Sequence, residues 1–356
     1  MTLRHKTYRV NVKCDPYTKP WPQRAASLKM PSNKEDSYPE HPHVMVVGAG
    51  AVGGFFGALL LQRGVNVTFL VRPATYQILT RQGLSMISED PHIGRRVLHP
   101  PCVQHAEGSQ PVDLILLAVK CYDLAPALVA IAPWVHRGAI ILTLQNGVGS
   151  EAQIQSYFSK DCVVAGVAYI TSRQKSPGVI EHFRRGTLAI GERSGKITPR
   201  VEWIHHRLEQ GGIPCRLSDN IRRIKWEKLC WNATFNPLSV ILDHPIGLVL
   251  DEPVLCGVVT QCIAEIIAVA SAEGVTLDPG IAKETISGSH LFRDFHTSMY
   301  EDYKNGKPTE IEALNGDIIK RGQQHGIPTP INEMLYALMI GLEKKRNTLI
   351  SGPHIV

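Results

Sequence analysis

The chain has 356 residues, 44% hydrophobic and 20% charged, enough apolar material for a large core and two domains plus tails. The formal charge of +6 is mild and no basic block interleaves with aromatics, so nucleic acid is not an expected partner, whereas anionic cofactors and small acids suit the field. Eight cysteines lie scattered without a C-x-x-C spacing, and no apolar signal segment opens the chain. This predicts a reducing, cytoplasmic setting with no metal site.

Residues 1–42 differ in composition from the rest of the chain. Arg4, Lys6, Arg9, Lys13, Lys19, Arg24 and Lys29 stand against a single acid, Asp15, before residue 35. Pro16, Pro20 and Pro22 spoil an amphipathic helix, so a disordered extension is expected, with a mitochondrial targeting segment as the alternative.

Next, an apolar strand, Val44–Val47, runs into Gly48-Ala49-Gly50-Ala51-Val52-Gly53, and a helical pattern continues through Leu61 to Gly64. In a G-x-G-x-x-G turn of this kind Gly48 permits the tight turn, Gly50 lets the backbone approach a pyrophosphate, and Gly53 allows helix to pack on strand. The phosphates then sit at a helix N-terminus. A second strand, Val65–Val71, ends in Arg72. An acid near this point would take the ribose hydroxyls, whereas an arginine pairs with a 2′-phosphate, which predicts NADPH over NADH; the alternative is a plain surface arginine.

Val112–Val119 and Ala139–Leu144 are apolar runs of buried-strand length, as in an open parallel sheet. Ligands bind at the carboxyl ends of such strands, and Lys120 and Gln145-Asn146-Gly147 stand there, unless they are only solvated caps. A strand at Val163–Ile170 and a hairpin pairing Val179–Phe183 with Thr187–Ile190 precede a helix over 201–210 and a short strand at Ile213–Leu217. Beyond Asn220 only helices are expected, over 221–236, 254–273, 280–301, 308–324 and 331–345. Gln261 and Glu265 interrupt the apolar segment Val254–Ala272, which reads as a core helix rather than a membrane span. The predicted organisation is α/β: a Rossmann-type parallel-sheet nucleotide-binding domain over 43–219, an all-helical substrate and dimerisation domain over 220–345, and a tail over 346–356.

The first of those helices carries an unusual pattern. Lys228, Asn232 and Asn236 recur every fourth residue, forming a narrow polar stripe, while Leu229, Cys230, Trp231, Ala233 and Phe235 cover the other faces. A buried ammonium and two buried carboxamides need partners, which a cleft holding a small oxygen-rich ligand would supply; a polar edge facing water is the alternative.

Taken with Gln145-Asn146-Gly147-Val148-Gly149, the block Trp226 to Pro237, Thr297-Ser298-Met299-Tyr300-Glu301-Asp302, Thr309-Glu310-Ile311-Glu312 and His325 to Pro330, these features resemble the ketopantoate reductases (2-dehydropantoate 2-reductases) across about residues 43 to 345. The resemblance implies NADPH-dependent reduction of ketopantoate to D-pantoate, a step toward pantothenate and coenzyme A, at a site between a Rossmann domain and a helical domain. It implies Lys228 as proton donor, Asn232, Asn236 and Ser298 as substrate contacts, Asn146 between nicotinamide and substrate, and Glu310 at the junction of cofactor and substrate. A homodimer is left open.

One departure bears on substrate. Where the family usually carries a further asparagine that touches substrate, this chain has Ile246. A missing amide would relax selection for ketopantoate over plainer branched 2-oxo acids. Two alternatives therefore stand beside the leading reading: a same-fold reductase of another 2-oxo acid, and a non-catalytic NADPH-binding sensor.

Overall fold

A computed structural model describes residues 38–106 and 110–351. The basic extension expected over residues 1–42 lies outside the described residues up to position 37. The first half contains β1 (His43–Val47), α1 (Ala51–Gln62), β2 (Asn66–Leu70), α2 (Pro73–Gln82), β3 (Leu84–Ser88), β4 (Arg95–Leu98), β5 (Cys102–Val103) and β6 (Leu114–Leu117). It continues with α3 (Leu124–Val135), β7 (Ile140–Thr143), α4 (Ser150–Tyr157), β8 (Val163–Ser176), β9 (Val179–Gly191), α5 (Pro199–Gln210) and β10 (Cys215–Leu217). The second half is helical: α6 (Ile221–Ile241), α7 (Gly247–Asp251), α8 (Pro253–Ala272), α9 (Ile281–Ser289), α10 (Ser298–Lys304), α11 (Asp317–His325) and α12 (Pro330–Ser351).

These ten strands join one sheet in the order β4-β3-β9-β8-β7-β6-β1-β2-β5, with β10 beside β9. Its centre is parallel, as alternating strands and helices require. Along β1, Val44 and Val46 join the core beneath α1 and α5, while Met45 and Val47 join the core beneath α3. Leu114 and Leu116 on β6 split from Ile115 and Leu117 in the same way. Such strands are apolar without alternation because helices cover both faces.

The sheet departs from an all-parallel one at two pairs, β3–β4 and β8–β9, which run antiparallel. Only Pro177 and Gly178 separate β8 from β9, and a two-residue connection can join only antiparallel strands. The hairpin expected within 179–190 is instead one strand: Arg185 (φ 64°) and Gly186 (φ 125°) form a bulge opposite Tyr169 and Ile170, and pairing resumes beyond it. A bulge and a turn use the same glycine-dependent backbone, so local composition does not distinguish them.

In the helical half, the single helix expected over 280–301 divides into α9, a 3-10 turn at His290–Phe292, and α10. The hydroxyl of Thr297 accepts from the Tyr300 backbone N–H at 3.2 Å and so starts α10 afresh. The expected 308–324 helix begins as a π-helical turn over Glu312–Gly316 before α11. Val259, Cys262, Ile263, Ile266, Val269 and Ala270 of α8 join a third core around α6. Helix α8 is long and apolar enough to cross a membrane by length and composition, and a third of its apolar window is buried, on the face that joins the α6 core. Ahead of β1, Tyr38 stacks on Trp203 of α5 at 5.1 Å, and Trp203 Nε1 donates to the Pro39 carbonyl at 3.0 Å.

Candidate active site

The segments just beyond β1, β6 and β7 adjoin one another: Val119 packs against Gly48, Gln145 Nε2 donates to the Val119 carbonyl at 3.2 Å, and Asn146 meets Lys228 of α6. Gly48, directly after β1, has φ +97°, and a Cβ there would lie 3.0 Å from Val119 at the end of β6. At Gly53 a Cβ would fall 2.0 Å from the Gly48 carbonyl oxygen, so helix α1 approaches the strand as only glycine permits. Around Gly50, by contrast, a Cβ would meet nothing within 4 Å. The backbone is open there, and α1 starts with no side-chain cap and no acid in its first turn. A bare helix N-terminus beside open glycine backbone fits a pyrophosphate. Arg72 follows β2 with its side chain 82% exposed, 3.8 Å from Asp123.

Across the cleft, charges interlock. Lys120 donates to Asp302 at 2.6 Å and reaches Glu310 at 3.4 Å, joining the end of β6 to the helical half. Glu310 also accepts from the Cys121 backbone N–H at 3.1 Å and from Asn146 Nδ2 at 3.0 Å. Burial opposes ionisation of Glu310, but Lys120, Asn146 and Cys121 outweigh it and hold the carboxyl below its usual range. Burial likewise works against the Lys120 ammonium, and Glu310 with Asp302 more than offsets it, holding its pKa well above the ordinary value. Both groups are therefore charged at neutral pH.

Asn146 is shared. Its Oδ1 accepts from Lys228 Nζ at 3.0 Å while its Nδ2 serves Glu310, so one carboxamide at the end of β7 links the two. Lys228 also donates to the Ala168 carbonyl of β8 at 2.7 Å. Burial pulls the Lys228 ammonium down to about 8, with Glu310 opposing and Lys225 and Lys120 reinforcing the fall. An ammonium in that range can release its proton near neutral pH and recover it. Beside it lies a small open-sided cavity, whose polar lining comes from Gln145, Asn146, Lys225, Lys228 and Asn232.

This arrangement has relatives. Residues 44–195 match the family model for ketopantoate reductase PanE/ApbA, and residues 220–343 match the model for the C-terminal part of the same family. The chain belongs to the ketopantoate reductase family. Among solved structures, 2-dehydropantoate 2-reductase from Geobacter metallireducens is 33% identical with a TM-score of 0.79, covering 84% of this chain and 99% of that one. A curated 2-dehydropantoate 2-reductase from Nostoc is 28% identical, with 85% of this chain and 96% of that protein covered. D-mandelate dehydrogenase, solved with NADH and anilino(oxo)acetate, is 26% identical with a TM-score of 0.79 over 86% of this chain and all of that one. The family consists of oxidoreductases acting on CH–OH groups, and its fold serves more than one of them.

The structure brings Lys120, Asn146, Lys228 and Glu310 into one bonded chain and sets Asn232 beside them. Other residues singled out in the sequence fall differently. Asn236 is 2% exposed, off the cavity lining, and its Oδ1 has no hydrogen-bond partner among the described residues. Ser298 is exposed on the first turn of α10. Ile246 is 1% exposed and packs in the helical core rather than lining the cavity. An amide at position 246 would here face the helical core rather than the cavity.

Sequence reasoning missed three charged residues here: Lys225, Glu151 and Asp302. Lys225, three positions before Lys228, shares its helix face and binds Glu151 of α4. Asp302 stood in the family-like motif but was given no part. The i, i+3 spacing could have flagged Lys225; only the fold shows its partner.

Proposed function

We propose that the chain catalyses NADPH-dependent reduction of ketopantoate to D-pantoate, with Lys228 as the proton donor. The observation that carries this reading is the Asn146 bridge between Lys228 and Glu310, at the carboxyl end of β7 beside an open glycine turn. NADPH would be held by Gly48 to Gly53, Arg72, Lys120, Asn146 and Glu310, and when bound it supplies hydride to the ketone carbon. As charge grows on the carbonyl oxygen, the Lys228 ammonium stabilises it and passes a proton from Nζ, leaving an alcohol. Asn146 and the Ala168 carbonyl hold that ammonium in place. Asn146 and Asn232 would supply donors for the substrate carboxylate, and the exposed Ser298 hydroxyl would add a further one.

The preference for NADPH rests on the exposed Arg72 and the absence of an acid at its position. A second reading, reduction of another 2-oxo acid, is favoured by the resemblance to D-mandelate dehydrogenase. In our reading residues 43–219 bind cofactor and 220–345 complete the substrate site. Outward-facing α8 offers an apolar surface for a homodimer, and the unpaired cysteines of the described residues suit the cytoplasm.

Turnover of ketopantoate, 2-oxoisovalerate and an aryl 2-oxo acid with NADPH and with NADH tests these readings together. Ketopantoate with NADPH should give the highest kcat/KM. A higher value for another acid would establish the second reading. Tight NADPH binding without turnover of any acid would make the chain a sensor.

A further inference from the structure

A second lysine occupies the face of α6 that carries Lys228. Lys225 is buried, with its side chain 5% exposed, and lines the same cavity as Lys228, Asn146 and Asn232. Its ammonium forms a close ion pair with Glu151, itself 7% exposed, and donates to the Ser150 hydroxyl at 3.3 Å. Both partners lie at the start of α4, just beyond the Gln145-Asn146 strand end. Spaced three residues apart on a helix, Lys225 and Lys228 have neighbouring side chains. A buried pair of this kind is costly to assemble and costs more still when one member is removed, so it is poor evidence for stability alone.

Lys225 also lines a second groove on its far side, with Arg193, Arg222, Glu273 and Arg321. Lys225 thus lines both that groove and the cavity holding Lys228, whereas Glu151 lines the groove alone. The helix fixes Lys225 one turn from the donor, while Glu151, on another element, meets Lys225 rather than Lys228.

We infer that the Lys225–Glu151 pair is a positioning device that sets how readily Lys228 gives up its proton, with Lys225 supplying the like charge and Glu151 limiting it. This rests on Lys228 being the donor. The other charges facing Lys228 are Glu310, which favours its ammonium, and Lys120, which opposes it; Tyr169 presents a ring at 6.0 Å. Neither Glu310 nor Lys120 would be altered by changes at the pair.

The test is the pH profile of kcat for ketopantoate reduction in Lys225→Met and Glu151→Gln, measured beside the unaltered enzyme. A donor acts while protonated, so kcat falls as pH rises through its pKa. Lys225→Met removes a like charge and exposes Glu151, and should carry that basic limb upward by about 0.5–1 pH unit. Glu151→Gln leaves Lys225 uncompensated and should carry it downward by a similar amount. Packing damage alone would lower kcat and the melting temperature without moving the two limbs in opposite directions. Limbs that coincide with the unaltered enzyme's, or that move together, overturn the inference. Should Glu151→Gln fail to fold, an unmoved limb in Lys225→Met is sufficient to overturn it. Undiminished turnover in Lys228→Ala would instead remove the underlying reading, so the two failures remain distinct.

Discussion

In the function proposed above, the glycine turn after β1 and the polar face of α6 would bind charge in a cleft by opposite means. At the turn the chain contributes backbone: φ +97° at Gly48, a contact at Gly53 that no Cβ survives, and open space at Gly50. At α6 it contributes side chains, and each is held from elsewhere. Lys228 rests on Asn146 and Ala168 from the sheet, and Lys225 on α4. A backbone site is built from consecutive residues and is complete within them. A side-chain site depends on what distant segments bring, so its chemistry is set by the docking of the two halves.

The two sites should separate most sharply at Lys228. Lys228→Ala should lower kcat by roughly two to four orders of magnitude, the usual worth of a general acid together with its charge. NADPH affinity, read by fluorescence titration, should change little, since the glycine turn is untouched. In the unaltered enzyme kcat should decline above about pH 8, because burial pulls this ammonium to about 8 and only its protonated form donates. Retained turnover would reduce the stripe to a structural feature.

Next in size is Ile246. The side chain is 1% exposed in the core of the helical half, so Ile246→Asn should destabilise by about 2–4 kcal/mol through lost packing and a buried amide. The ratio of kcat/KM for ketopantoate over 2-oxoisovalerate should stay where it was. A rise in that ratio with an unchanged melting temperature would return this position to the substrate pocket.

These two positions show what the residue order discloses and what it hides. The strand, glycine run and helix from Val44 to Gly64 were legible because period, turn chemistry and function coincide in one short stretch. Lys228 and Asn232 were legible because polar residues at helical spacing within an apolar segment demand a reason. The π-turn at Glu312–Gly316 and the bulge at Arg185–Gly186 were not, since each is an irregularity imposed by packing on a locally ordinary sequence. Segment 73–106, with α2 and β3 to β5, is short and weakly patterned: β4 has Arg95, Arg96 and Val97 all exposed, so no alternation marks it. Nothing local could show that Ile246 faces the core or that Glu151 meets Lys225, because both facts belong to tertiary contacts.

Arg72 tests whether the backbone turn alone chooses the cofactor. Its guanidinium is 82% exposed and only loosely paired with Asp123, free to meet a 2′-phosphate. Arg72→Asp should raise KM for NADPH about ten- to a hundredfold, the worth of a charge-assisted contact, with a much smaller change for NADH. An unaltered enzyme that prefers NADH would mean that the arginine plays no part.

The smallest effect is expected where the two halves clasp each other. Asp302→Asn removes one of the two carboxylates on Lys120 and leaves Glu310 at 3.4 Å. The Lys120 side chain is 34% exposed, so solvent screening limits the loss to roughly 0.5–1 kcal/mol. With Lys120 in the cofactor site proposed above, the loss should appear as a two- to fivefold rise in KM for NADPH, with kcat near normal. Lys228 does not touch Asp302, so the basic limb of the pH profile should stay in place. A limb that moved with Asp302→Asn would show that Lys120 and Lys228 titrate as one network through Glu310, and that the clasp between the halves governs proton donation as well as cofactor binding.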